Sequence, residues 1–562
     1  MKEKVQGAQP VTNGEGHTNG DANTMPPRDP AQSENPRTSG NIMHENRETS
    51  SASEQQHRAE RWEKAGSRTP HMHAGEESDS GVVPMKGSNK EGKPTAESLE
   101  GRPGTEENVR QPHMHPTQGG KRVSQGLKGV RQAARERRKE KFTALLHHLT
   151  TDLLRESFRS IKRNAAAGVD GVTWKEYEKG VEDRLRDLHE RIHRGAYRAQ
   201  PSRRVYIPKA DGRQRPIGIA TLEDKIVQLS VAKILNQIYE EDFLECSYGF
   251  RPGRSQHAAL DALSVGITRK QVNWILDLDI RGFFDTINHE QLIRYVEERV
   301  ADQRILRLIR KWLKVGLVEE DEWKETEVGT PQGSGISPLL ANVYLHYALD
   351  LWMDAWRKRA RGDVFMVRYA DDAVLGFENR DEAERFRREL QERLRSVGLE
   401  LHPEKTRLIE FGRFAERNRK RRGDGKTETF DFLGFTHICG TTRITRRFLV
   451  KRKTMGKRMR AKLLEIRQEL QKRMHDPIPT TGKWLKSVVQ GYFNYHAIPL
   501  NGKRLAAFRD GVIRHWRHVL SRRSQRGGIT WERMVELVRR WIPSVRILHP
   551  YPSQRYDATH PR

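Results

Sequence analysis

Cysteine is almost missing: only Cys246 and Cys439 occur among 562 residues, far apart in the chain. Their spacing excludes a disulfide framework and a thiolate zinc site, and it fits a reducing compartment. Long apolar runs are missing as well. No stretch of about 18 apolar residues exists, and the start, Met1-Lys2-Glu3-Lys4, has no apolar signal core. The expectation is a soluble, cytosolic protein without a membrane role. Excess negative charge is also lacking, since 103 Lys and Arg against 75 Asp and Glu leave a net +28. Such a surface attracts phosphate through counterion release, so a polyanionic partner is implied.

The charge is unevenly placed. Residues 1–120 hold 14 basic and 18 acidic side chains, whereas residues 441–562 hold 29 basic and 7 acidic. The last quarter of the chain therefore carries most of the electrostatic footprint, as a dedicated nucleic-acid-binding module would. Residues 1–120 are rich in Gly, Ser, Asn, Glu, Pro and His and poor in apolar side chains, a composition that cannot offset the entropy of ordering. Disorder is expected there, and the repeated Pro70-His71-Met72-His73 and Pro112-His113-Met114-His115 read as low-complexity drift rather than a metal site.

Beyond Lys121 the pattern becomes basic and then amphipathic, with Phe142, Leu145, Leu146, Leu149, Leu153 and Leu154 at helical spacing. Tyr206 to Ile219 reads as two strands about the Asp211-Gly212 turn, which would present Lys209, Arg213 and Arg215. Thr221 to Tyr239 reads as a helix and Asn273 to Asp279 as a central strand. Ser337 and Pro338 read as the cap and first turn of an apolar helix, Leu339 to Trp356. Phe365 to Tyr369 and Ala373 to Phe377 form a hairpin with aspartates at its tip. Beyond Gly440 helices are expected at 455–475, 484–495, 505–520 and 530–541, with Trp531, Met534, Val535 and Val538 on one packed face. Strands and helices mixed in one unit give an α+β fold.

Asp279 and the adjacent Asp371-Asp372 pair each lie at the end of an expected buried strand. Neighbouring carboxylates repel one another unless a cation sits between them, so bound metal is implied. Asp277 shares a strand face with Asp279, and spacing alone does not separate the two.

These segments sit among others with a recognisable order: Asn164 to Gly171, Ile207 to Ile219, Ser247-Tyr248-Gly249-Phe250-Arg251-Pro252-Gly253, and Asp279 to Phe284. Gly329-Thr330-Pro331-Gln332-Gly333, Tyr369 to Asp372, Leu399 to Thr406, Phe432-Leu433-Gly434-Phe435 and Gly491-Tyr492-Phe493-Asn494-Tyr495 follow. From about residue 130 to 562 the chain resembles the reverse transcriptases and maturases encoded by bacterial group II introns. The resemblance implies a right-hand polymerase, with fingers and palm over 188–437, a helical extension over 121–187, and an all-α thumb and maturase bundle (domain X) over 438–562.

The resemblance further implies RNA-directed DNA synthesis with two Mg2+ ions on Asp279, Asp371 and Asp372, Asp279 being preferred to Asp277 on the family pattern. Lys405 would protonate departing pyrophosphate. Lys209 and Arg215 would meet the triphosphate, Gln332 the nucleotide sugar, and Phe284 would block a ribose 2′-hydroxyl, making dNTPs the substrates. The implied partners are group II intron RNA and a primer or target DNA. Tyr492, Phe493, Tyr495, Trp484 and Trp516 stand among the positive charges of the last region, where half are expected to stack on RNA bases and half to lie inside the bundle. Asp170 and Asp285 read as structural. Paired cysteines of an endonuclease module do not follow domain X, so no target-strand nuclease is expected. Two rival functions remain open at this point, a splicing cofactor without polymerase activity and a domesticated reverse transcriptase in repair or phage defence. Oligomeric state is left open by the sequence.

Overall fold

The computed structural model describes residues 118–208, 214–319, 322–324, 328–330, 332–523 and 528–560. Lys209 and the Asp211-Gly212 turn, the expected disordered segment up to residue 117 and both His-Met-His repeats lie outside them.

The entry segment is less regular than its leucine spacing suggests. Helix α1 (Gln118–Glu136) and helix α2 (Thr151–Ser160) are separated by loop and a single short turn at Leu146–His148. Phe142 instead bridges to Val300, and the buried Asp302 carboxylate accepts from the backbone N–H groups of Leu145 (2.7 Å) and Leu146 (2.9 Å). The leucines are buried as expected, but tertiary hydrogen bonds rather than helix hold the backbone.

Strands β1 (Ser202–Pro208) and β2 (Gln214–Ile219) pair antiparallel, with Pro208 opposite Gln214. Helix α3 (Leu222–Asp242) follows, started by the Thr221 hydroxyl accepting from Asp224 N–H. Helix α4 (Gln256–Arg269) leads to β3 (Trp274–Leu278). β4 (Leu317–Glu319) lies parallel to β1 and antiparallel to β5 (Glu322–Lys324), giving a sheet ordered β2-β1-β4-β5.

The second sheet has the order β6-β7-β3-β8, with β6 (Val364–Tyr369), β7 (Asp372–Phe377) and β8 (Arg407–Glu410), so β3 is central as its apolar run implies. Both faces are covered. Leu276, Leu278, Leu375 and Phe377 join the large core under α3, while Ile275, Val367, Val374 and Ile409 pack with α4 and Phe430.

The helix before β6 starts at Ser337 itself, with Ile336 in the capping position and no side-chain cap bond. Ser337 is therefore the first helical residue rather than the cap. A wide five-residue turn at His346–Asp350 interrupts this helix before it resumes at Leu351–Arg357. Wide turns of this kind are uncommon and often sit at functional sites.

Past residue 428 the chain is not yet all-helical. β9 (Thr429–Phe432), β10 (Phe435–Thr441) and β11 (Phe448–Thr454) make a three-stranded sheet. The alternation in β11 was hidden because its inward positions include Arg452, buried against Asp261 at 2.8 Å. Helices α5 (Gly456–Lys472), α6 (Ile478–His496), α7 (Gly502–Ser521) and α8 (Trp531–Trp541) then enclose their own core around Leu485, Phe508 and Trp516. A last helix, α9 (Pro552–Thr559), docks on α4 through Arg269–Asp557 and Arg555–Asp261 contacts. The boundaries expected at 120, 187 and 437 all fall inside elements: α1, the helix Val181–His193 and β10. Composition shifts near these points, but the hydrogen-bonded elements run across them.

Candidate active site

The acidic residues gather at one end of the β6-β7-β3-β8 sheet. β3 and β7 are antiparallel with Leu278 opposite Ala373, so Asp279, just after β3, and Asp372, at the start of β7, come together at that end of the sheet, where the Asp279 charge acts on Asp372. Strand alternation puts Asp277, Asp279 and Asp372 on one face, and Asp371 stands in the two-residue turn between β6 and β7. Burial raises the Asp371 carboxyl first, and the Asp279 charge adds to it against its own backbone amide, Arg215 and Arg368. Asp372 reaches solvent at its edge, yet its crowded position and the charges of Asp371 and Asp279 push its pKa up to about 7, opposed by Arg458. Asp277 rises to about 6, chiefly through burial, and pairs with Arg407 at 3.6 Å.

Among the described residues no three His, Cys, Asp or Glu side chains already form a closed metal-binding set. Asp279 Oδ2 faces Lys405 Nζ at 3.1 Å instead. The donors nevertheless suit a divalent cation: they are hard oxygen ligands, and burial together with the neighbouring carboxylate charges raises the proton affinity of Asp371 and Asp372, which a cation would relieve.

The turn carrying Asp371 is tightly held from beneath. Ala370 adopts a left-handed φ of +57°, and a Cβ on Gly249 would lie 2.3 Å from the Ala370 nitrogen, so only glycine fits there. Arg368, fully buried, donates from Nη1 to the Ala370 carbonyl (2.9 Å) and to Asn342 Oδ1 (3.0 Å). It also donates from Nη2 to Ser247 Oγ (2.8 Å) and from Nε to Asp350 Oδ1 (2.7 Å). The wide helical turn at His346–Asp350 ends on that aspartate. Sequence reading missed this support, although a charge within the apolar run Val364–Tyr369 was a signal that a buried partner had to exist.

A recess of about 330 Å³ has a lining that includes Arg204, Tyr206, Gly218, Phe284, Asp285 and Gln332, and Arg215, whose charge acts on Asp371, bonds to its wall. Arg215 Nε donates to Gln332 Oε1 at 2.9 Å, and Gln332 Nε2 reaches Asp285 Oδ1 at 3.5 Å. The Gln332 carbonyl accepts from Gly218 N–H at 2.7 Å, which fixes the loop against β2. Phe284 is half-buried and packs edge-on against Phe283. Arg215, Phe284, Gln332, Lys405 and the three aspartates are thus brought to one end of the sheet, and Lys209 lies outside the described residues. Asp285, taken from sequence as structural, lines the recess and braces Gln332. Asp170 acts as read, its carboxylate accepting from Val172 N–H at 3.2 Å.

Of the aromatic residues divided between RNA stacking and the bundle core, most go to the core. Tyr492, Phe493 and Trp516 are buried in the helical core, and Trp484 and Tyr495 are half-buried. Helical spacing aimed them inward, where Tyr492 stacks on Phe508.

Residues 207–437 match the family of reverse transcriptases (RNA-dependent DNA polymerases). The chain is 37% identical over 182 residues to Protein YkfC of Escherichia coli, covering 32% of this chain and 48% of that protein. It is 36% identical over 222 residues to the group II intron-encoded protein LtrA of Lactococcus lactis, covering 39% and 37%. It is 30% identical over 170 residues to nuclear intron maturase 2, mitochondrial, of Arabidopsis thaliana, covering 24% and 23%. The chain carries a reverse transcriptase domain. Its similarity extends to group II intron-encoded proteins and intron maturases, and it spans less than half the length of these curated relatives. Among the described residues no helix is long and apolar enough to cross a membrane.

Proposed function

We propose that this protein is an RNA-directed DNA polymerase that copies group II intron RNA into DNA and also binds that RNA to assist its splicing and mobility. The observation that carries the reading is the convergence of Asp279, Asp371 and Asp372 at a sheet end, with Arg215 acting on Asp371 and bonded to the wall of a recess lined by Phe284 and Gln332. Two Mg2+ ions held by the three carboxylates would lower the pKa of a primer 3′-hydroxyl and neutralise the leaving group.

The protein's own residues do the rest. Arg215 meets the triphosphate as a bidentate fork, and Gln332, held between Arg215 and Asp285, lies against the sugar. Phe284 fills the space a 2′-hydroxyl would need, which selects dNTPs. The primer 3′-oxygen bonds to the α-phosphorus, the bond to the bridging oxygen breaks, and Lys405 gives a proton to the departing pyrophosphate. Its ammonium, 3.1 Å from Asp279, is within reach of that end of the site. Intact carboxylates favour this reading over a splicing cofactor with an idle palm.

Primer extension on poly(rA)/oligo(dT) with Mg2+ and dTTP tests it. Asp371→Ala should abolish synthesis while leaving folding and RNA affinity nearly intact. Retained synthesis would refute the site.

A further inference from the structure

The exterior of the helical C-terminal region carries a groove that the expected aromatics do not explain. It runs between α6, α7 and α8, and Met534, Ile513 and Val538 form its floor. Met534 is fully buried, whereas Trp531 and Val535, on the same helix face, are 50% and 52% exposed. The face read as bundle packing is therefore only half used for packing. Large apolar side chains left open at the edge of a depression mark a binding surface.

Its rim is strongly basic. Lys486, Arg509, Arg514, Arg539 and Arg540 line the groove against a single carboxylate, Asp510. Arg509 Nε is spent on the Pro543 carbonyl at 3.0 Å. Lys486, Arg514, Arg539 and Arg540 have no ion-pair partner among the described residues, and Arg540 lies 5.2 Å from the Trp541 ring centroid. Arg517 lies 4.1 Å above the Trp531 ring, and the indole, which lines the groove, stays half exposed. An unpaired base needs such a flat ring and apolar floor, and its flanking phosphates need unneutralised cations.

We infer that this groove takes an unpaired nucleotide of single-stranded RNA, the base stacking on Trp531 and the flanking phosphates meeting Arg514 and Arg540. The inference rests on the RNA-binding half of the function proposed above and assigns that binding to one surface. Charge complementarity favours RNA over a protein partner, because an apolar protein face would leave four cations desolvated and unpaired.

The test uses the full chain and a fluorescein-labelled 12-residue oligo(rU) containing 5-iodouridine. Trp531→Ala should weaken binding by about tenfold, the usual scale for loss of one stacked base. Arg514→Glu with Arg540→Glu should weaken it further and reduce the slope of log affinity against log salt by about 1.4, the value for two lost single-strand phosphate contacts. Near-ultraviolet irradiation should crosslink the oligonucleotide to Trp531. Trp531 is exposed, so its removal spares the core, and the charge reversals supply a second, independent perturbation. At saturating poly(rA)/oligo(dT) every variant should still extend the primer, with only the template KM raised, whereas failure of the polymerase assignment would show as no synthesis even in the wild type. Unchanged affinity and salt slope, crosslinks confined to the palm, or an effect only on self-association in sedimentation would each overturn the inference.

Discussion

Arg368 offers the sharpest separation of stability from activity. Arg368 and Asp350 are both wholly buried, and the guanidinium also serves Asn342, Ser247 and the Ala370 carbonyl. Replacing Arg368 with Met would leave the Asp350 carboxylate buried without a counter-charge, and breaking such a pair costs about 3–5 kcal/mol. Converting Asp350 to Leu as well removes the orphaned charge, and a well-packed apolar pair should recover about 2 kcal/mol or more of that loss. The recovery should not extend to catalysis. The Ala370 carbonyl, on a residue at φ +57°, would still lack its donor, so the turn holding Asp371 would be free to relax. Urea unfolding of the two variants gives the stability difference, and primer extension gives the activity. A loss under about 1 kcal/mol in Arg368→Met, below the range for broken buried pairs, would refute the energetic argument. Full extension activity in the double variant would refute the claim that Arg368 positions the turn.

Gly249→Ala should lower kcat by about a hundredfold, because its Cβ would displace the Ala370 backbone and a misplacement near 1 Å has that effect; normal turnover in steady-state kinetics would show that the contact is not limiting. Phe284→Ala should raise ribonucleotide incorporation relative to deoxyribonucleotide, measured as the ratio of the two kcat/KM values, and an unchanged ratio would remove the steric gate. Asp302→Asn should destabilise the fold by about 1–3 kcal/mol at pH 7, since the Leu145 and Leu146 amides lose a charged acceptor. Burial raises the Asp302 carboxyl, but those amides and Arg304 outweigh it and hold the pKa below the ordinary carboxylate value. A depressed native pKa gives stability that is present above the unfolded value and lost as pH falls through the native one, so the difference between wild type and variant should shrink in urea melts at pH 3. A difference that is independent of pH would contradict this.

Much of the site was legible because polar groups in apolar strands are costly and therefore informative. Asp279, Asp371 and Asp372 stood out at strand ends, and the β3-β7 register brings those ends together. Arg215, Gln332 and Phe284 came only from resemblance, since nothing in their local pattern says that β2 and the loop at 329–335 share a recess. The Arg368–Asp350 pair was missed because its two members lie on different elements, and the wide turn that delivers Asp350 leaves no mark in periodicity. β11 was missed for a related reason: Arg452 occupies an inward position, and without its partner Asp261 on α4 the strand reads as a basic surface run. The aromatics of α6 and α7 stood open between two readings. Composition placed them among positive charges, but at helical spacing their side chains point to the bundle core.

The central claim is that Asp279, Asp371 and Asp372 together hold divalent ions next to a primer end. Mn2+ can be counted by electron paramagnetic resonance in a complex of the full chain with a dideoxy-terminated primer, an RNA template and the next dNTP. The account predicts two bound ions per chain in the wild type and loss of both in Asp371→Ala and Asp279→Ala. Equal occupancy in the wild type and the variants would contradict it.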